Sequence, residues 1–321
     1  MSVKVELIDF LPSQFTSTDD DHHDNNNLIN LLKYKINIIP TKRYSLEFSS
    51  LNVSGYYSAW HVGPNCFDIV LSNDYYRFIV TNGSALSVFP RAETAEEYEN
   101  KSIGRKALFE VEFEEITCFN CLKLIKEKDE EYIYASTDPY VVKIKVSDIM
   151  RKNPLLVWKS KETYYNIWGL DVMGSQLYVV DYEKSVMILD REHGDHLQYL
   201  DDDIGKIEGG GFGIHCFSEN EILMSHNSCL ELFEKQQGKW NSIRKSSFRM
   251  NFAYSIFYEK ASDLIYVSDN GGYRLVVVRR EDLSKVKSVS GNYKSFGIII
   301  DPLSGLLYVC DSGQFGVLIY S

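Results

Sequence analysis

The sequence predicts an all-β protein, a six-bladed β-propeller of four-stranded blades, on three observations. A short polar residue closes a strand-like segment six times, at Asn82, Thr137, Asp181, His226, Asp269 and Asp311, in steps of 55, 44, 45, 43 and 42 residues. Each step holds several short apolar blocks bounded by Gly and Asp, not apolar residues at helical spacing. Aromatics make up 13% of the chain and prolines number only 7, a balance that suits pleated, half-buried segments.

The C-terminal copies are the most regular. Phe296-Gly-Ile-Ile-Ile-Asp leads through a turn to Leu307-Tyr-Val-Cys-Asp311 and then to an apolar run ending at Tyr320. Tyr254–Tyr258, Leu264–Asp269 and Tyr273–Val278 repeat this order, as do Phe212–Phe217, Ile222–His226 and Leu230–Phe233. Trp168–Val172, Leu177–Asp181 and Val186–Leu189 form a fourth copy. Weaker copies start at Phe119 and Phe67. A fourth strand per repeat is expected at Leu108–Phe113, Leu155–Trp158, Leu197–Leu200, Lys239–Ile243 and Lys285–Val289. Four strands per 40–50 residues is the propeller period. The one long step has a visible cause, a charged, helix-like insertion at Ala92–Lys106 within the first repeat.

The last repeat ends after its third strand, so a strand from upstream is expected to complete it. Val3–Leu7, Tyr34–Ile39 and Tyr44–Phe48 are the candidates for closing the ring. Residues 1–28 form an acidic, mostly disordered tail and 29–321 the propeller. The tail holds Lys4 against Glu6, Asp9, Asp19, Asp20, Asp21 and Asp24, a net of −5 out of −11 for the whole chain. Its STDDDHHDNNN stretch has nothing to bury.

The pattern aromatic-Gly-h-h-h-Asp, turn, h-Tyr-Val-x-Asp resembles NHL repeats and related six-bladed propellers, across roughly residues 62–321. That resemblance implies architecture far more than activity, because such propellers include enzymes, ligand sensors and protein-binding modules. His226, Thr137 and Asn82 depart from the Asp that ends the second strand.

In such a blade the first strand lines the axis. Phe67, Phe119, Trp168, Phe212, Tyr254 and Phe296 are then expected as an inner ring, followed by Asp68, Asn120, Gly169, Gly213, Ser255 and Gly297. The candidate binding residues are Phe67, Asp68, Phe119, Asn120, Trp168, Phe212, Tyr254 and Phe296, with Asp171 and His215 further along their strands. Aromatics at a strand start also pack between blades. A short polar residue ending a strand also bonds its own turn. The function expected is non-catalytic recognition of a protein or peptide through one face.

Two alternatives stay open. Lactonase- or esterase-like propellers hold an axial divalent cation with Asp, Asn and Glu oxygens, and Ca²⁺ wants six or more. Here Asp68 and Asn120 suit that role and Ser255 does so marginally, so no metal or other cofactor is expected. RNA binding through a local basic face is the third reading, on Lys235, Lys239, Arg244, Lys245 and Arg249 beside Trp240 and Phe248. The net charge of −11 weighs against nucleic acid as the partner.

Other motifs carry less. Cys118-Phe-Asn-Cys121 has no second pair at zinc-site spacing. Glu208-Gly-Gly-Gly-Phe-Gly213 lacks the Lys-Ser/Thr of a phosphate loop. The start lacks a basic n-region and long apolar core, and no run approaches the roughly 20 apolar residues of a membrane helix. A monomeric cytoplasmic protein with free thiols is expected.

Overall fold

The computed structural model describes the backbone of Arg43–Leu46 together with residues 66–91 and 107–320, apart from 165, 183–185, 201–203, 205–209, 227, 291–293 and 312–315. The acidic tail, the strand candidates Val3–Leu7 and Tyr34–Ile39, and the insertion at 92–106 lie outside the described residues.

The described strands form six antiparallel sheets of four, each a blade. Blade one is β2 (Ile69–Ser72), β3 (Arg77–Asn82), β4 (Ala85–Pro90) and β5 (Phe109–Glu112). Blade two is β6 (Cys118–Glu127), β7 (Glu130–Asp138), β8 (Val141–Lys145) and β9 (Leu156–Lys159), with a short helix α1 (Val146–Met150) before β9. Blade three is β10 (Ile167–Met173), β11 (Gln176–Asp181), β12 (Val186–Asp190) and β13 (His196–Tyr199). Blade four is β14 (Gly211–Ser218), β15 (Glu221–His226), β16 (Leu230–Gln236) and β17 (Lys239–Lys245). Blade five is β18 (Ala253–Glu259), β19 (Leu264–Asp269), β20 (Arg274–Arg279) and β21 (Lys285–Ser290). The sixth sheet is β22 (Ser295–Ile300), β23 (Leu307–Asp311) and β24 (Gly316–Tyr320), with β1 (Arg43–Leu46) drawn beside β24. The extra length of repeat one falls between β4 and β5, its third and fourth strands.

The core is a set of wedges between blades. Side chains alternate along each first strand, so one set packs on the preceding blade and the other on the next. Ile69 joins Tyr308, Cys310 and Val317 of blade six, while Val70 joins Phe119, Leu122 and Ile133 of blade two. The Tyr of the h-Tyr-Val-x-Asp step fills these wedges: Tyr134, Tyr178, Tyr266 and Tyr308 are all buried. Outer strands are exposed edges, guarded by charges such as Lys239, Lys245, Lys285 and Lys287, which discourage edge-to-edge pairing.

The first strands of blades two to six begin with a β-bulge. In blade five Ala253 faces Asp269 and Ile256 faces Val267, so Tyr254 and Ser255 together oppose Ser268. Blades two, three, four and six share this irregularity. A bulge leaves an N–H without a ladder partner and re-aims the side chain beside it. Hydroxyls on the second strand take up amides at the start of the first strand. Ser268 Oγ accepts from Ser255 N at 2.8 Å, Ser225 Oγ from Gly213 N at 2.8 Å, and Thr81 Oγ1 from Phe67 N at 2.7 Å and Asp68 N at 3.0 Å. The variable residue of the Tyr-Val-x-Asp step thus supports the strand that lines the axis.

Candidate functional site

The starts of the first strands turn a set of aromatic rings onto the axis at one end of the ring of blades. Phe67 meets Trp168 at 5.7 Å and Phe296 at 4.9 Å between centroids. Trp168 meets Phe212 at 6.0 Å and Tyr254 at 5.3 Å, and Tyr254 meets Phe212 at 4.3 Å and Phe296 at 4.5 Å. Five expected residues therefore form a collar across the channel mouth.

Phe119 does not join it. Phe119 pairs with Thr137, as Ala253 pairs with Asp269, so it sits one place before the bulge. It is fully buried against Phe113, at 5.5 Å, in the wedge between blades one and two. Asn120 takes the collar position of blade two, and its Nδ2 donates to Ile167 O at 2.8 Å. The one-residue offset is a correction to the sequence reading.

Directly behind the collar stand Asp68, Cys121, Gly169, Gly213, Ser255 and Gly297. The glycines answer a close approach: a Cβ on Gly169 would lie 2.3 Å from Phe212 O and one on Gly213 2.4 Å from Tyr254 O. Asp68 keeps its carboxylate because the next blade offers a donor. Its Oδ2 accepts from Leu122 N at 2.7 Å and its Oδ1 from Ile69 N at 2.9 Å. Burial still pushes its pKa up to about 6, against the pull of those amides, the Cys121 thiol and Lys123.

Two residues further along lies a charged arc. Asp171 Oδ1 pairs with Lys123 Nζ at 2.7 Å and Oδ2 with His215 Nδ1 at 3.2 Å. The same carboxylate accepts from Val172 N and Cys216 N, both at 2.8 Å. Burial favours its neutral form, but Lys123 and His215 outweigh that and hold its pKa below the usual carboxylate range. Asp171 and His215, singled out in the sequence, are thus in contact. Lys123 escaped notice because a lysine on a strand is ordinarily a solvated residue. The opposite arc at this level is apolar: Phe257, Ile299 and Val70.

The channel between collar and arc is a cavity of about 280 Å³, lined by all six first strands. The outer polar ring does not reach it. Asp269 accepts from Asn251 N at 2.6 Å and Arg274 Nε at 2.6 Å, Thr137 Oγ1 donates to Tyr140 O at 2.6 Å, and Asp311 Oδ1 accepts from Lys294 N at 3.0 Å. These side chains hold their own turns.

The alternatives fare as follows. Among the described residues no three His, Cys, Asp or Glu side chains converge as a metal site. The Asp68 oxygens are spent on backbone amides, and Asn120 is turned to the Ile167 carbonyl through its Nδ2. Burial pushes the Cys118 thiol up to about 12 and Cys121 well above its ordinary value, so neither is a thiolate at neutral pH. Of the basic segment, Trp240 is buried in the wedge between blades three and four and offers no stacking face. Lys245 pairs with Glu231 at 3.1 Å. No helix among the described residues is long and apolar enough to cross a membrane.

No family model matches the chain, and no curated protein matches it. Among solved structures it is similar to the WD40 β-propeller domain of Doa1, with a TM-score of 0.56 and 11% identity over 79% of this chain and 78% of that one. The computationally designed Ika8 protein aligns with a TM-score of 0.47 and 7% identity over 79% and 70%. The Doa1 likeness supports the fold alone. No family finding singles out NHL repeats, and the chain stands as a six-bladed β-propeller.

Proposed function

We propose that this propeller is a non-catalytic recognition module that binds a protein or peptide partner through the collar face. One observation carries the reading. Immediately before the first strands of blades three, four and five stand Asn166, Gly210 and Phe252, all with left-handed backbone, φ 62°, 77° and 60°. Asn and Gly adopt this region readily, whereas a bulky residue there costs about 1 kcal/mol or more. Phe252 nevertheless sits there with 39% of its surface exposed. Tyr273, at φ 51° and 48% exposed, does the same in the adjoining turn. The two turns are joined by Asn270 N donating to Phe252 O at 2.9 Å. Strain retained for an exposed ring points to use of that ring.

Phe252 also extends the collar, meeting Phe212 at 6.1 Å. The rings of Phe252, Phe212, Tyr254, Trp168 and Phe67 make one continuous aromatic surface. Rigid aromatics are the anchors that dominate binding at protein interfaces. Capture of partners by the wild type, by Phe252→Gly and by an outer-rim control, Val157→Ser, tests the reading.

A further inference from the structure

The channel behind the collar has a chemistry of its own. Its walls are largely apolar, through Leu71, Leu124, Leu170, Phe257 and Ile299. Two charged side chains line it, Asp68 just behind the collar and Lys123 nearer the other mouth. Asp68 turns its oxygens to backbone amides and is 8% exposed. Lys123 is different: 34% of its side chain is exposed although Asp171 holds it.

Asp171 is saturated. It takes two backbone amides, the Lys123 ammonium and the His215 ring, which fills the four lone-pair positions of a carboxylate. An ammonium has three donors, so Lys123 retains two for another acceptor. His215 faces Asp171 with Nδ1, which leaves Nε2 as its second polar atom. Phe217 and Tyr258 fix that ring, with centroids 4.8 and 5.4 Å away. One buried carboxylate thus holds the Lys123 ammonium at the end of the channel opposite the collar.

We propose that the axial channel binds a small monocarboxylate with an unbranched apolar tail, its head on the free donors of Lys123 and its tail directed toward the collar. The charges set the orientation, because Asp68 repels an anionic head at the collar end. The size sets the class. From the collar to the level of Leu71 and Leu124 is four residues of strand, about 13 Å. The 280 Å³ of space lies near the lower bound of small-ligand pockets, about 300 Å³. The head group sits at the end opposite the collar and its test does not use a partner protein, so failure of either proposal leaves the other standing.

Calorimetric titration of the full chain with sodium octanoate, 1-octanol and octylammonium tests this. Octanoate is expected to bind at one site per chain, and at least ten-fold more tightly than octylammonium. Lys123→Met is expected to weaken octanoate at least ten-fold while leaving 1-octanol unchanged. Ile299→Phe, which copies the ring that Phe257 already places at this level, fills the channel and should abolish binding of both. Should Lys123→Met fail to fold, the wild-type preference and Ile299→Phe decide. Absence of saturable octanoate binding, equal binding of octylammonium, or octanoate binding unchanged in Ile299→Phe would overturn the proposal.

Discussion

Arg91 clasps Asp301, a residue 210 positions further along the chain, in a buried two-pronged ion pair that ties the first blade to the last. Arg91 Nε donates to Asp301 Oδ2 at 2.8 Å, and Nη2 meets Oδ1. Arg91 Nη1 also donates to Asn73 Oδ1 at 2.7 Å, while Asp301 accepts from Leu303 N and Ser304 Oγ, both at 2.8 Å. Burial alone would raise the Asp301 pKa, yet the Arg91 bonds bring it below its ordinary value.

Removing one partner strands a buried charge. Arg91→Leu is therefore expected to cost about 3–5 kcal/mol. The double variant Arg91→Leu/Asp301→Leu should recover much of that, because an apolar pair needs no compensation. Urea midpoints of the two variants check this. Equal loss in both would mean that the pair's charge is not what the seam depends on.

Asp68 gives a pH signature of opposite sense to that of a salt-bridged carboxylate. Burial raises its pKa to about 6, so the folded chain holds this proton more tightly than the unfolded one. Its contribution to stability is full below the unfolded value of about 4 and is lost as pH rises through 6. In Asp68→Asn that contribution is absent. The stability gap between wild type and variant should shrink by up to about 3 kcal/mol between pH 4 and pH 7. Denaturation series across that range measure it, and a pH-independent gap would contradict the assignment.

Gly169 and Gly213 make a packing prediction. A methyl group at either runs into a backbone carbonyl of the next blade, which cannot give way as a side chain would. Gly169→Ala is expected to destabilise by about 2 kcal/mol or more. A loss below about 0.5 kcal/mol, the scale of a surface substitution, would show that the first strands can spread.

Ring closure is the fourth. A chain starting at residue 43 should keep the stability of the intact protein, and one starting at residue 51 should lose several kcal/mol with the strand Arg43–Leu46. Equal urea midpoints for the two truncations would dismiss that strand as the closing element.

The architecture was legible because it repeats: an error in one copy is outvoted by the others. The collar was legible for the same reason, except in blade two. There Phe119 and Asn120 are adjacent, and only the pairing of Phe119 with Thr137 reveals which of them faces the axis. Lys123 was hidden because its meaning depends on Asp171, 48 residues away, and the turn geometry of Phe252 has no signature in residue type. Trp240 misled in the other direction, since an aromatic among lysines on an edge strand has one buried face of the sheet to fill. The roles of Ser225 and Ser268 follow from the bulges, which hydrophobic pattern alone does not display.

The most direct measurement for the central claim compares Phe252→Gly with the wild type in stability and in partner capture. Gly relieves the left-handed backbone, so stability should hold or rise by up to about 1 kcal/mol. At the same time, a partner retained by the wild type and by Val157→Ser should be lost or weakened at least ten-fold. A Phe252→Gly protein that retains every partner of the wild type at unchanged affinity would contradict recognition through the collar face.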